Sequence, residues 1–175
     1  MNKISIVLVL APSLLALTLF SAACSRRSID GDEGPHVSGT ASPEEAGRYL
    51  VTIGGCHDCH TPGFLQEGWA VPESLWFTGV PVGWRGPWGT TYGPNLRLTV
   101  QNLTEDAWVE MLRTRTSLPP MPWPLVNRMS ERDMRAVYRY LKSLGVAGDA
   151  MPLPVPPDSE PATPYIVLAP PQGME

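Results

Sequence analysis

The sequence predicts a mainly α domain with long Pro/Gly-rich loops and a Pro-rich extended tail. Three observations lead there. Three segments carry a helix start signal followed by apolar residues at helical spacing, and no strand alternation of comparable strength competes with them. From Met151 to Glu175 prolines crowd together, which forbids helix and favours extended, polyproline-type chain.

The first helix begins at Ser42 as N-cap, with Pro43 at the first helical position and Glu45 closing an S-x-x-E capping box. Ala46, Tyr49, Leu50 and Ile53 then form one apolar face at i, i+3, i+4, i+7, and the helix delivers the chain directly to Cys56. A second helix follows Thr104 and runs to about Arg115, burying Trp108, Met111 and Leu112. The third is the best specified. Ser130 is its N-cap, Asp133 stands three residues later, Met134, Val137, Tyr138, Leu141 and Leu144 form its stripe, and Gly145 ends it. Met129 and Met134 occupy the two positions of a hydrophobic staple.

The N-terminus decides the expected compartment. Lys3 precedes an apolar run from Ile4 to Phe20, and small residues Ser21, Ala22 and Ala23 lead to Cys24, so residues 1–23 read as a secretory signal. The stretch resembles a lipoprotein signal, in which Cys24 would be lipidated after cleavage. It departs from that pattern in having Ser21 where a large aliphatic residue is usual, and the alternatives are ordinary cleavage or an uncleaved anchor. The apolar run falls a little short of the ~20 residues that span a bilayer, and Pro12 interrupts it. The expected organisation is signal 1–23, flexible polar leader 24–41, folded domain 42–148 and Pro-rich extended tail 149–175, in which the apolar run Tyr165 to Leu168 could dock on the domain or pair with a strand edge. Removing residues 1–23 takes away Lys3 and no acidic group, so the formal charge moves from −4 to −5. An acidic chain argues against nucleic acid, which wants a basic stripe.

Residues 56–60 read Cys56-His57-Asp58-Cys59-His60, a C-x-x-C-H run downstream of an export signal. It reads as a site for one covalent haem c: two thiols at this spacing add across the two vinyl groups of one porphyrin, and the imidazole after the second thiol reaches the iron. Cys56 and Cys59 are then thioether anchors and His60 an axial ligand. A closed zinc site would want four Cys or His ligands, with only His57 and His36 left to complete it, and a thioredoxin-like dithiol would want a strand-helix-strand setting. Disulfide and chance match are the remaining alternatives.

Helix, C-x-x-C-H, long loop, short helix, Pro-rich turn and final helix is an order that resembles a class I cytochrome c over roughly residues 45–146. The resemblance implies that cytochrome fold, electron transfer, and a methionine as sixth iron ligand. Of the six methionines after residue 23, Met111 and Met134 lie on helical stripes, Met129 in the staple, and Met151 and Met174 in the tail. Met121 alone sits in the turn Leu118-Pro119-Pro120-Met121-Pro122-Trp123-Pro124, where four prolines remove backbone freedom, and its Met-Pro pair before the last helix resembles a distal ligand. Met129 is the stand-in. Gly93-Pro94-Asn95-Leu96 resembles the G-P-N-L element whose proline carbonyl accepts a hydrogen bond from the proximal imidazole, here His60, although it lies farther along the chain than in small soluble carriers.

The stretch from Trp76 to Leu98 is dense in aromatics and glycines, as suits a loop wrapped on a flat ring. Within it and beside it, Arg85, Trp84, Trp88 and Trp123 are candidates for holding the haem propionates, the alternative being tryptophans in the core and a solvated Arg85. Glu105, Asp106 and Glu110 follow an N-cap and suit the helix dipole, so they need no catalytic role.

The expected function is electron transfer in the periplasm by a membrane-tethered carrier, not an enzyme. Its partners would be redox proteins, for instance a periplasmic dehydrogenase or a respiratory-chain component. Asp58-Cys59-His60-Thr61-Pro62 with a later Met121-Pro122 and a Ser-capped final helix is similar to the cytochrome domains associated with periplasmic alcohol and sugar dehydrogenases. The competing classes are a haem enzyme or gas sensor with an open or labile sixth iron position, and an assembly lipoprotein with a vestigial haem.

Overall fold

The computed structural model describes residues 36–168, apart from residues 38 and 41. The signal, Cys24 with its expected lipidation, most of the leader, and the end of the tail with Met174 lie outside the described residues.

Helix α1 (Pro43–Ile53) starts where its cap signal points, with the Ser42 hydroxyl accepting from Glu45 N at 3.1 Å. Its buried face differs from the expected one. Tyr49 and Ile53 are exposed, while Ala46, Gly47 and Val51 are buried. Gly47 decides this, because a Cβ there would meet the Ala136 carbonyl and the Tyr140 side chain of the helix it crosses. The short helices α2 (Cys56–His60) and α3 (Phe64–Glu67) and two 3-10 turns (Gly68–Ala70 and Glu73–Leu75) carry the chain to strand β1 (Val80–Gly86), which pairs antiparallel with β2 (Gly89–Gly93). Helix α4 (Leu96–Gln101) is capped by Asn95, whose side chain accepts from Leu98 N at 3.0 Å.

Helix α5 (Glu105–Thr114) is capped by Thr104 and buries Trp108, Val109 and Leu112, with Met111 half-buried. After the one-turn helix α6 (Trp123–Val126), helix α7 (Glu131–Ser143) begins at the Ser130 cap and packs against α1, α4 and α5. Met134 and Leu141 on its stripe are fully buried. Burying them, at ~1.5–3 kcal/mol each, makes α7 the axis of the core. Glu105 and Asp106 pair with Arg135 and Arg139 across the α5–α7 contact.

The expectation of a mainly α, class I cytochrome c fold does not hold. Beside its helices the chain builds a three-stranded mixed sheet of order β2-β1-β3, in which β3 (Tyr165–Val167) from the tail runs parallel to β1. The region expected as an irregular loop contains a two-residue hairpin, with Gly86 opposite Gly89 around Pro87 and Trp88. Pro81, Gly83 and Gly86 interrupt the apolar alternation on which a strand is recognised, so the sequence signal is weak.

The hairpin has two differently used faces. Alternation along β1 puts Arg85 and its register partner Thr90 on one side, and Trp84 with Thr91 on the other. The tail lines the outer edges of both strands, Val155 beside β2 and β3 beside β1, and its side chains meet Arg85 and Tyr92. Thr90 and Val155 exchange backbone hydrogen bonds, Gly83 N donates to Pro164 O at 2.9 Å, Leu168 N donates to Arg85 O at 2.7 Å, and Arg85 pairs with Glu160 at 3.2 Å. The tail is extended, and it is docked.

Candidate functional site

Five residues of α2 carry the C-x-x-C-H run, and the helix divides them by environment. His57 and His60 are buried, Cys56 and Cys59 half-buried, and Asp58 exposed. Cys56 and Cys59 are free thiols. Burial pushes the Cys56 thiol up to about 11, with the Cys59 and Asp58 charges adding to it, and burial together with Asp58 raises Cys59 as well. Both are therefore protonated near neutrality, the opposite of the lowered pKa that a reactive dithiol uses.

His60 Nδ1 lies 2.9 Å from the Pro94 carbonyl oxygen. A carbonyl only accepts, so Nδ1 carries the proton, and in the neutral ring the lone pair stays on Nε2. Burial lowers the His60 pKa, with the Pro94 bond opposing it. The result is a buried imidazole with one nitrogen anchored and the other able to bind metal, as metal-ligating histidines are held.

The turn at residues 77–79 clasps α2. Phe77 is fully buried with a left-handed backbone, φ 58°, and its N–H donates to Thr61 Oγ1 at 3.0 Å while its carbonyl accepts from Leu96 N at 2.9 Å. Gly79 N donates to His60 O at 2.9 Å. From the other side Gly93 lies so close to Cys59 that a Cβ would overlap the Cys59 carbonyl. The four residues Gly93-Pro94-Asn95-Leu96 thus do four different things. Gly93 permits the close approach, Pro94 supplies a carbonyl for His60, Asn95 caps α4, and Leu96 bonds to Phe77.

Strand β2 also reaches the Met121 turn. Thr91 Oγ1 donates to the Pro119 carbonyl at 2.6 Å, two residues along the strand from Gly93. Met121 is half-buried against the core, and Trp123 N donates to its carbonyl at 2.9 Å. Asn127 Nδ2 ties α6 back to the end of α5 through Leu112 O, 2.5 Å, and Arg115 O, 3.2 Å. One short strand therefore connects the His60 side of the site with the Met121 side.

Three indole N–H groups, those of Trp84, Trp88 and Trp123, are buried and lack a hydrogen-bond partner. Trp84 shares its face of the hairpin with Thr91, the Trp88 ring lies over Gly86 on that strand, and Trp123 is two residues past Met121. Buried donors left open are rare, and these three suit an acceptor-bearing ligand such as the carboxylates of a haem. Arg85 follows Trp84 on β1. Its guanidinium is engaged by Glu160 at 3.2 Å, by the Ser159 carbonyl at 2.9 Å and by the Tyr165 ring, all in the tail. Met129 packs half-buried against the core at the foot of α7, and Met151 lies against Gly79.

His57, between the two cysteines, is enclosed by the rings of Phe64, Trp69, Trp76 and Phe77, and its Nδ1 is 3.0 Å from Thr61 Oγ1. Burial pushes its pKa down to about 4. Sequence reasoning gave no role to Phe77 or Thr91 and named Thr61 only within the run Asp58-Cys59-His60-Thr61-Pro62. Only Thr61 carried a signal, standing directly after the motif.

Among the described residues no group of three or more His, Cys, Asp and Glu side chains is arranged to hold a metal ion, and no helix is long and apolar enough to cross a membrane. Comparison with protein-family models, with curated proteins and with solved structures finds no match to this chain.

Proposed function

We propose that this protein is a periplasmic one-electron carrier that holds a single covalent haem c through Cys56 and Cys59, with His60 and Met121 as axial ligands of the iron and Cys24 as a lipid tether. The observation that carries this reading is the buried His60 ring, with Nδ1 bonded to Pro94 O at 2.9 Å, next to two unpaired thiols at C-x-x-C-H spacing. The reading rests on these site residues and not on the fold class. When bound, the haem iron supplies the one-electron couple.

The chain's own residues account for the rest. Cys56 and Cys59 would hold the haem through two thioethers, each made by adding an S–H across one vinyl group, sulfur to one carbon and hydrogen to the other, with no gain or loss of electrons. His60 offers Nε2 to the iron while the Pro94 carbonyl holds its ring and raises its basicity. Met121 offers a thioether from a turn stiffened by four prolines and held by Thr91. Trp84, Trp88 and Trp123 offer indole N–H groups to the propionates. With His60 and Met121 both holding the iron, no coordination site would be left for a substrate, and the protein would exchange electrons with redox proteins such as a dehydrogenase or a respiratory-chain component.

The test is the optical spectrum of the purified mature protein, oxidised and reduced, with and without carbon monoxide. A low-spin spectrum with the weak sulfur-to-iron charge-transfer band, abolished by Met121→Ala and indifferent to carbon monoxide, is the expected result. High-spin iron that takes carbon monoxide at once would replace the carrier with a haem enzyme or gas sensor, and protein without haem would overturn the reading entirely.

A further inference from the structure

Asn95 follows Pro94, and the fold uses the oxygen and both N–H bonds of its side-chain amide. The residue is buried, 3% exposed. Its Oδ1 accepts from Leu98 N at 3.0 Å as the cap of α4, and its Nδ2 donates to Ala147 O at 2.8 Å and to Asp149 O at 3.2 Å. An N-cap needs only the oxygen, which Ser, Thr or Asp would also supply, so the two N–H bonds are what asparagine adds here. Two residues on, Arg97 is buried as well, and its guanidinium donates to Gly145 O at 2.6 Å, to Leu144 O and to Ser74 O at 3.2 Å. Four carbonyls of residues 144–149, where the chain leaves α7, are thus taken up by two side chains at the start of α4. Gly148 closes the contact, because a Cβ there would lie 2.9 Å from Thr78 Cβ and 3.2 Å from Asn95 Nδ2.

This clamp bears on His60 through one peptide bond. The Pro94 carbonyl that lies 2.9 Å from His60 Nδ1 belongs to the planar peptide unit joining Pro94 to Asn95, which can swing only about the Pro94 ψ and the Asn95 φ. Three hydrogen bonds from one side chain hold the Asn95 end of that unit. We propose that Asn95 is a positioning residue for the axial histidine: by tying the chain after α7 to this peptide, it keeps the Pro94 carbonyl on His60 Nδ1 and so sets how strongly His60 donates to the iron. The proposal rests on the haem reading above and adds to it a residue that acts on the iron ligand through Pro94. A loosened carbonyl makes the imidazole a weaker donor, which favours the reduced iron and raises the reduction potential.

The test uses the mature protein as purified and two readouts, solvent exchange of the His60 Nδ1–H proton by NMR and the reduction potential of the haem. Asn95→Ser keeps a capping oxygen and removes both N–H bonds. It is expected to speed the exchange about tenfold, the factor that one lost hydrogen bond of ordinary strength gives, and to raise the potential. Gly148→Ala leaves Asn95 in place and crowds its Nδ2, so it is expected to move both readouts in the same direction. Gly145→Ala is the control. Its φ of 71° matches the 69° of Gly148, but nothing lies within 4 Å of its Cβ, so it imposes the backbone strain without the contact and should leave both readouts near wild type. Wild-type exchange in Asn95→Ser and in Gly148→Ala would overturn the proposal and leave the haem reading intact. So would an equal acceleration in Gly145→Ala, which would report lower overall stability alone, or faster exchange with an unchanged potential. A protein without haem would overturn the reading above, and the exchange comparison would then decide by itself whether Asn95 holds the Pro94 carbonyl.

Discussion

Alanine in place of Gly93 should drive strand β2 away from helix α2. Gly93 is not one of the glycines with a left-handed backbone, so alanine there suffers no conformational penalty and the whole effect of the substitution is steric. The new Cβ would overlap the carbonyl of Cys59, and both partners are backbone, so neither can rotate aside. Restoring ordinary contact requires β2 and α2 to separate by more than about 1 Å, in a region packed at crystal-like density. Overpacking of this kind costs ~1–3 kcal/mol. The next residue is Pro94, whose carbonyl is 2.9 Å from His60 Nδ1. A displacement of that size takes the pair beyond hydrogen-bond distance and removes a further ~0.5–1.5 kcal/mol. We therefore expect Gly93→Ala to lose about 2–4 kcal/mol in urea denaturation of the mature protein. The His60 Nδ1–H proton should also lose its protection from solvent exchange in NMR. Gly145→Ala is the control. That glycine has φ 71° with nothing within 4 Å of a Cβ, so its penalty of ~1–2 kcal/mol is purely conformational and should leave the His60 proton protected. Gly93→Ala within ~0.5 kcal/mol of wild type, with His60 Nδ1–H still protected, would refute the claim that β2 and α2 are in backbone contact.

Two other outcomes test the site from different sides. His57 has its pKa pushed below 6.5 to about 4 by burial, so between those values the unfolded chain binds a proton that the folded chain refuses. Stability is complete above pH 6.5 and declines as pH falls toward about 4, and His57→Phe should flatten this slope in denaturation curves taken across that window. An unchanged slope would mean that His57 is not the group responsible. Thr91→Val removes the donor to the Pro119 carbonyl, 2.6 Å, at a cost of ~0.5–1.5 kcal/mol. If that bond positions the Met121 turn, the haem-loaded variant should show a growing high-spin fraction on warming, with the spectrum at low temperature preserved. A thermally stable low-spin spectrum would show that the prolines alone suffice.

Legibility follows the range of the interactions. Helix starts at Ser42, Thr104 and Ser130 are readable because a cap is a bond between residues three apart, and the structure has all three. The inward face of α1 is not, since Tyr49 and Ile53 fit the helical spacing but Gly47 lets α7 approach on a different side. The hairpin has the local pattern of a loop because its strands are punctuated by proline and glycine and are completed by Val155 and Tyr165–Val167, far along the chain. Arg85 illustrates the same limit. Its charge makes it a candidate for the propionates, and its ion pair with Glu160 is legible only in the fold, because no local pattern announces that the tail docks there.

By itself the sequence determined the chemistry on offer: two thiols and an imidazole at fixed spacing in Cys56, Cys59 and His60, one methionine set among prolines, an export-type N-terminus, an acidic balance, and three capped helices. These are properties of neighbouring residues, and covalent connectivity carries them into any fold. Only the tertiary structure decided that Pro94 O meets His60 Nδ1, that Thr91 binds the Met121 turn, that three indole N–H groups remain buried and open, and that a tail strand turns a hairpin into a sheet. Each of those depends on where distant backbone stops, and that is set by packing against α7 and by the absence of a side chain at Gly47 and Gly93.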